Sequence, residues 1–254
     1  MTPDAAAPGP ASTPAAAPPP DESRGHAPGR GPGPAGSPTT GAGSGREGLM
    51  VAARAELAEH GHAAISLRAV ARRAGVSHAA PKHHFGDRAG LLTAVATDGF
   101  RALAEALERV VPASDRSGAP AGGPGRALAD LGRAYVEFGL ADPALFDLMF
   151  RPVELRPQDP ALRAAQERAI GVLASTVAAT APTAPSASSA GTPPVALISW
   201  ALVHGLVVLT RDDALAGALG TDDPPSPDDL ARSLIELFAD RITAEEPPRP
   251  PGSR

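Results

Sequence analysis

The sequence predicts an all-α protein, an N-terminal helix-turn-helix head followed by a helical bundle, and three observations lead there. Residues 66–85, SLRAVARRAGVSHAAPKHHF, have the form of two short helices joined by a tight glycine-containing turn. In the segments that follow, apolar residues recur at helical spacing. Aromatic residues make up only 3% of a chain that is 43% hydrophobic, so the core must be built from Leu, Val and Ala, which favours helices.

Residues 1–45 are almost entirely Pro, Gly, Ala, Ser and Thr. Such a stretch cannot bury enough surface to offset the entropy of ordering, and a disordered tail is expected, lacking the apolar run of a signal peptide. The first helix is expected from Arg46 to His60, with Leu49, Met50, Ala53, Leu57 and Ala58 on one stripe and Gly61 as its stop. Ser66 is placed to cap the next helix, in which Leu67, Val70, Ala71 and Ala74 face inward and Arg68, Arg72 and Arg73 outward. Gly75 suits the positive φ of a helix end, Val76 is expected to fold back into the small core, and Ser77 to cap a second helix from His78 to Phe85. Pro81 falls in or just after the first turn of that helix, where few N–H groups have partners.

The second helix of the pair carries chemistry suited to DNA. His78, Ala79 and Ala80 are small or polar, so the backbone can come close to base edges and an alanine methyl can meet a thymine methyl. Lys82, the one lysine, forms a basic cluster with Arg68, Arg72, Arg73 and Arg88, opposed nearby in sequence only by Asp87, in a chain of net charge -5. An acidic protein binds nucleic acid when its positive charge is concentrated where the phosphates lie.

Asp87 caps a long helix in which Leu91, Leu92, Val95, Phe100, Leu103, Leu107 and Val110 keep helical spacing, a mechanical link to the rest of the chain. Residues 112–125 are expected as a flexible connector, followed by a helix from Arg126 to about Ala141. Asp142-Pro143 opens a short helix holding the aromatic and sulfur cluster Phe146, Met149 and Phe150, and Asp159-Pro160 starts a helix running to about Thr180. After a segment at 181–193 that is expected to be a mobile loop, Val195 to Leu209 is apolar on almost every face, broken by Ser199, the Trp200 indole N–H and His204. It falls short of the roughly 20 residues of a membrane span, so burial between helices or at a subunit interface is expected. Ser226-Pro227-Asp228-Asp229 starts the last helix, with Leu230, Leu234, Leu237, Phe238 and Ile242 as an apolar seam, and a disordered C-terminal tail, 244–254, follows.

The run from Gly61 through Leu92 resembles the DNA-binding domain of TetR-family (tetracycline-repressor-like) regulators in Ser66, Ala71, Ala74-Gly75-Val76-Ser77, His84-Phe85, Arg88 and Leu91-Leu92. It departs at Lys82, where the family usually has a tyrosine, and at Pro81, where an aliphatic residue is common. Trp200, His204 and Gly205 resemble the W-x-x-x-H-G signature of one class of TetR-like C-terminal domains. The resemblance implies a cytoplasmic homodimer that represses transcription at a palindromic double-stranded DNA operator and is released by a small-molecule effector. Residues 46–92 would then bind DNA, and 93–243 would bind the effector and dimerise. By position and chemistry, Ser66, Ser77, Lys82, His84 and Arg88 would hold phosphates and His78, Ala79 and Ala80 would face base edges. Phe146, Met149, Phe150, Trp200 and His204 are the candidates for the effector pocket.

Other chemistries find little support. With 0 cysteines there is no disulfide, thiolate metal site or cysteine nucleophile. No glycine-rich phosphate loop with its lysine, G-x-S-x-G elbow or H-E-x-x-H helix occurs, so neither an enzyme nor a cofactor is expected. His78, His83 and His84 lack a supporting carboxylate pair and do not share one helix face, so no metal is expected there. The alternative is a helical structural or protein-interaction module without specific DNA binding.

Overall fold

A computed structural model describes residues 42–111, 124–180, 192–217 and 225–244, and all regular structure among them is helical. The expected N-terminal tail up to residue 41, most of the two internal segments (112–123 and 181–191) and the C-terminal tail after 244 lie outside the described residues.

The head is built by α1 (Ala42–Ala64), α2 (Leu67–Arg73), α3 (Ala80–Phe85) and the start of α4 (Arg88–Val110). α1 begins four residues earlier than the sequence suggests, and Gly61, at φ +72°, breaks its helical path where a stop is expected. The Ser66 side chain accepts from the Ala69 N–H at 3.2 Å and so caps α2. At the other end Gly75 takes φ +66°, the Gly75 N–H reaches the Arg72 carbonyl and the Val76 N–H reaches that of Ala71. This paired closure satisfies carbonyls that the helix end would leave free, and it fixes the angle between α2 and α3.

Two local expectations change here. Val76 is 38% exposed and contributes its N–H to the turn in place of a core side chain. The second helix starts at Ala80, with Ala79 as a cap residue that makes no side-chain bond, while the Ser77 carbonyl accepts from Ala80 N–H in a preceding turn. Pro81 sets that start: it occupies the first turn, where its missing N–H costs nothing, and is itself buried.

The bundle comprises α4, α5 (Pro124–Ala141), α6 (Pro143–Met149), α7 (Pro160–Thr180), α8 (Pro194–Arg211), the one-turn α9 (Ala214–Gly217) and α10 (Pro227–Thr243). α4 runs unbroken through the expected domain boundary at residue 92, so head and bundle share it, and its most extensive packing is against α7. It buries Leu91, Leu92, Val95, Phe100, Leu103 and Leu107. Asp87, Asp142 and Ser226 cap α4, α6 and α10 through their side chains, as their positions before the helices require.

The last helix is rotated from its expected seam. Ala231, Ile235 and Ala239 face inward, Leu230, Leu234, Phe238 and Ile242 flank them, and Leu237 is 56% exposed. Small alanines let α10 approach α5 closely enough that a Cβ at Gly132 would stand 2.7 Å from Ile235 Cγ2. α8 is likewise buried on one side only: Ala196, Ser199, Val203, Leu206 and Val207 point inward, whereas Leu197 (45%), Ile198 (58%) and Leu209 (43%) are exposed.

Candidate nucleic-acid interface and apolar cleft

The helix pair presents Arg68, Arg72, Ser77, His78, Ala79, Lys82 and His83 to solvent, with Ala80 half-buried behind them. Its stiffness comes from Arg73, which turns back to α1 and donates to Glu56 at 2.7 Å and to both oxygens of Glu59. Two carboxylates around one guanidinium favour its charged form and fix α2 against α1; they also remove Arg73 from the cations free to meet phosphate. Arg88, expected on a phosphate, is tied inward: its Nε donates to the Ile65 carbonyl at 3.1 Å, Nη1 to Glu154 at 2.6 Å and Nη2 to the His62 carbonyl. It holds the α1–α2 connection instead. The basic cluster is therefore opposed by Glu56, Glu59 and Glu154 as well as Asp87, which leaves Arg68, Arg72 and Lys82 as its exposed cations that make no ion pair among the described residues. His84 is half-buried in a polar groove with Arg46, Arg101 and Arg156, beside the helix face rather than on it.

The segment between α6 and α7 grips the head. Glu154 binds Arg88, Arg156 binds Asp87 at 2.8 Å, and the Arg156 N–H donates to Thr93 Oγ1 at 2.9 Å. Arg88 holds the Glu154 carboxyl below the usual carboxylate range, and the Gly90 N–H together with Arg156 does the same for Asp87. Four residues before Glu154, Phe150 forms part of the wall of a cleft in the bundle.

That cleft, about 310 Å³, lies among α4, α5, α7 and α8 and is lined by Phe100, Leu103, Tyr135, Phe150, Leu173 and Trp200, with Gln166 and Glu167 as polar lining residues. Of the expected pocket residues, Phe150 and Trp200 line it. Phe146 (1% exposed) and Met149 (2%) are core: Met149 is pressed against α4, where a Cβ on Gly99 would stand 2.7 Å from its Sδ, and Phe146 against α5, where a Cβ on Gly139 would stand 3.1 Å from its ring. His204 stands behind the wall, its ring stacked on Phe146 with centroids 5.1 Å apart. A second, much smaller apolar cavity, about 30 Å³, shares Leu107, Tyr135 and Leu173 with the first.

Tyr135, buried on α5, organises the wall. Trp200 Nε1–H donates to its hydroxyl at 3.0 Å, and that hydroxyl lies 3.1 Å from His204 Nδ1. The phenol has one proton; giving it to Nδ1 leaves every donor in this relay with an acceptor, which assigns a neutral imidazole to His204. Burial, and next the Arg211 charge, lower the His204 pKa from its ordinary value of 6.5, in keeping with that assignment. Burial pushes the Tyr135 phenol up.

Two family profiles match the chain: bacterial regulatory proteins of the tetR family over residues 49–95, and the tetracyclin repressor-like C-terminal domain over residues 128–238. No curated protein matches it. Among solved structures, a protein of unknown function from Rhodococcus sp. RHA1 is 29% identical with a TM-score of 0.65, the match covering 82% of this chain and 100% of that one. A bacterial regulatory protein of the tetR family from Rhodococcus RHA1 (17% identity, TM-score 0.56, 80% and 98% covered) shares the fold. So does the TetR-family transcriptional regulator PfmR from Thermus thermophilus (18%, 0.53, 75% and 96%).

Proposed function

We propose that this chain, which belongs to the TetR family of DNA-binding transcription regulators, works as a ligand-responsive homodimeric repressor in the cytoplasm. The observation that carries the reading is the exposed set Ser77, His78, Ala79 and Lys82 at the start of a short helix whose angle is locked by the Gly75 turn and by the Arg73 ties to α1. Lys82, Ser66 and Ser77, joined by Arg68 and Arg72, are assigned to phosphates, and His78, Ala79 and Ala80 to base edges. Dimerisation is assigned to α8 and α10, whose Leu197, Ile198, Leu209 and Leu237 leave apolar surface exposed. Two heads held in that way would meet successive major grooves roughly 34–36 Å apart on a near-palindromic operator.

A small, largely apolar molecule in the cleft would act through Phe150. Any shift of that ring is passed along the short 150–156 segment to the Glu154–Arg88 and Arg156–Asp87 bonds at the base of α4, and so to the spacing of the heads. The test is selection of bound fragments from a genomic DNA pool by the purified protein, followed by sequencing. Enrichment of a near-palindrome supports the reading. If no sequence is enriched, the helix pair is not a working DNA reader and a protein partner for it becomes the reading to pursue.

A further inference from the structure

We infer that the cleft beside Tyr135 takes a lipophilic organic cation, held by an aromatic box and by the Glu167 carboxylate. This deepens, and rests on, the reading of that cleft as the effector site. The chain contains six Phe, one Trp and one Tyr, and builds the rest of its core from aliphatic residues. Yet Phe100, Tyr135, Phe150 and Trp200 all line this one cleft. Their rings are contiguous: Phe100 and Phe150 centroids are 5.4 Å apart, Phe150 and Trp200 6.1 Å. A purely aliphatic ligand gains nothing from rings that leucine would not supply, whereas the electron-rich faces of a desolvated aromatic cluster attract a cation.

The charges around the box have the matching sign. Glu167 is the ionised residue of the lining, exposed and with no ion-pair partner among the described residues. Its neighbour Arg168 is committed to Glu108 by two bonds of 2.8 and 2.6 Å, and Glu105 adds further negative potential there. Behind the wall, Arg211 is bound to Asp147 and Asp212, and His204 accepts from Tyr135 as the neutral ring. The polar hydrogens of the aromatic wall are also used up, Trp200 on Tyr135 and Tyr135 on His204, so the rings offer none to a carboxylate or phosphate, and the Gln166 amide is the donor that remains in the lining. An anion would meet the Glu167 charge and a ring wall with no free donor. A cation with an apolar body finds stacking surface and a counter-charge.

Trp200 is the single tryptophan and lies in the wall, so its fluorescence reports occupancy of the cleft directly in the full-length protein. The probes are tetraphenylphosphonium and tetraphenylborate, nearly identical in shape and opposite in charge. The phosphonium is expected to give a saturable change and to bind at least about tenfold more tightly than the borate. Glu167→Gln, an exposed substitution, should weaken the phosphonium by about two- to fivefold and leave the borate unchanged or improved. Phe150→Leu should weaken the phosphonium more than the borate. A saturable signal with the borate equal or preferred, or a phosphonium affinity indifferent to Glu167→Gln, overturns the cation assignment alone. Absence of a saturable signal with both probes overturns the effector-site reading as well.

Discussion

Replacing Tyr135 by phenylalanine removes one oxygen and leaves two groups without a partner. The ring itself, 5% exposed, keeps its packing. Trp200 Nε1–H loses its acceptor at 3.0 Å and His204 Nδ1 loses its donor at 3.1 Å. An unpartnered polar group costs about 1–3 kcal/mol when fully buried; Trp200 and His204 are each half-buried, so water recovers part of the loss, and a total of about 2 kcal/mol is expected. For a chain of this size that corresponds to a melting temperature lower by roughly 4–8 °C. Urea unfolding followed by circular dichroism, at one fixed protein concentration because a dimer's stability depends on it, measures the change. The single-tryptophan emission should shift at the same time, since the indole loses its bond. A Tyr135→Phe variant within about 0.5 kcal/mol of the parent, with unchanged emission, would refute the relay.

Three further outcomes follow from the same geometry. Gly90→Ala places a Cβ 2.0 Å from the Phe85 carbonyl oxygen, a backbone atom that cannot swing aside, and thermal melting should show a loss of about 3 kcal/mol. Arg88→Ala should lower the melting temperature and weaken DNA binding without altering its salt slope, because Arg88 braces the head and does not neutralise a phosphate; a slope reduced by a full unit would restore Arg88 to the interface. The His204 pKa is lowered below 6.5 on folding, so the unfolded chain binds that proton more readily; its contribution to stability is complete above pH 6.5 and is lost as pH falls through the lowered value. Urea unfolding against pH should accordingly be less steep below pH 6.5 in His204→Gln, and equal steepness would place the titration elsewhere.

What the sequence made readable was chiefly local. Ser66, Asp87, Asp142 and Ser226 announce helix starts because a cap acts on N–H groups within three residues, and Gly75 announces a turn because the positive φ is its own. Across longer separations it was silent. Arg88 looked free because Glu154 lies 66 residues away, and Arg73 looked free although Glu56 and Glu59 sit on the preceding helix. Apolar spacing marked α10 as a helix without saying which edge of its broad stripe would turn inward; the alanines that fit against α5 decided that. The cleft was half visible: Phe150 and Trp200 stand out by type, but Tyr135 acquires its role only when α5 brings it to Trp200, 65 positions on.

The most direct measurement is the salt dependence of binding to the best selected DNA fragment, made in parallel on the parent protein and on Lys82→Ala. A phosphate-bound Lys82 on a helix-turn-helix reader predicts a steep log–log dependence for the parent and a slope smaller by about 1 for the variant, with sequence preference retained. Identical slopes and affinities for the two proteins, or a parent that binds weakly at every salt concentration, would contradict it.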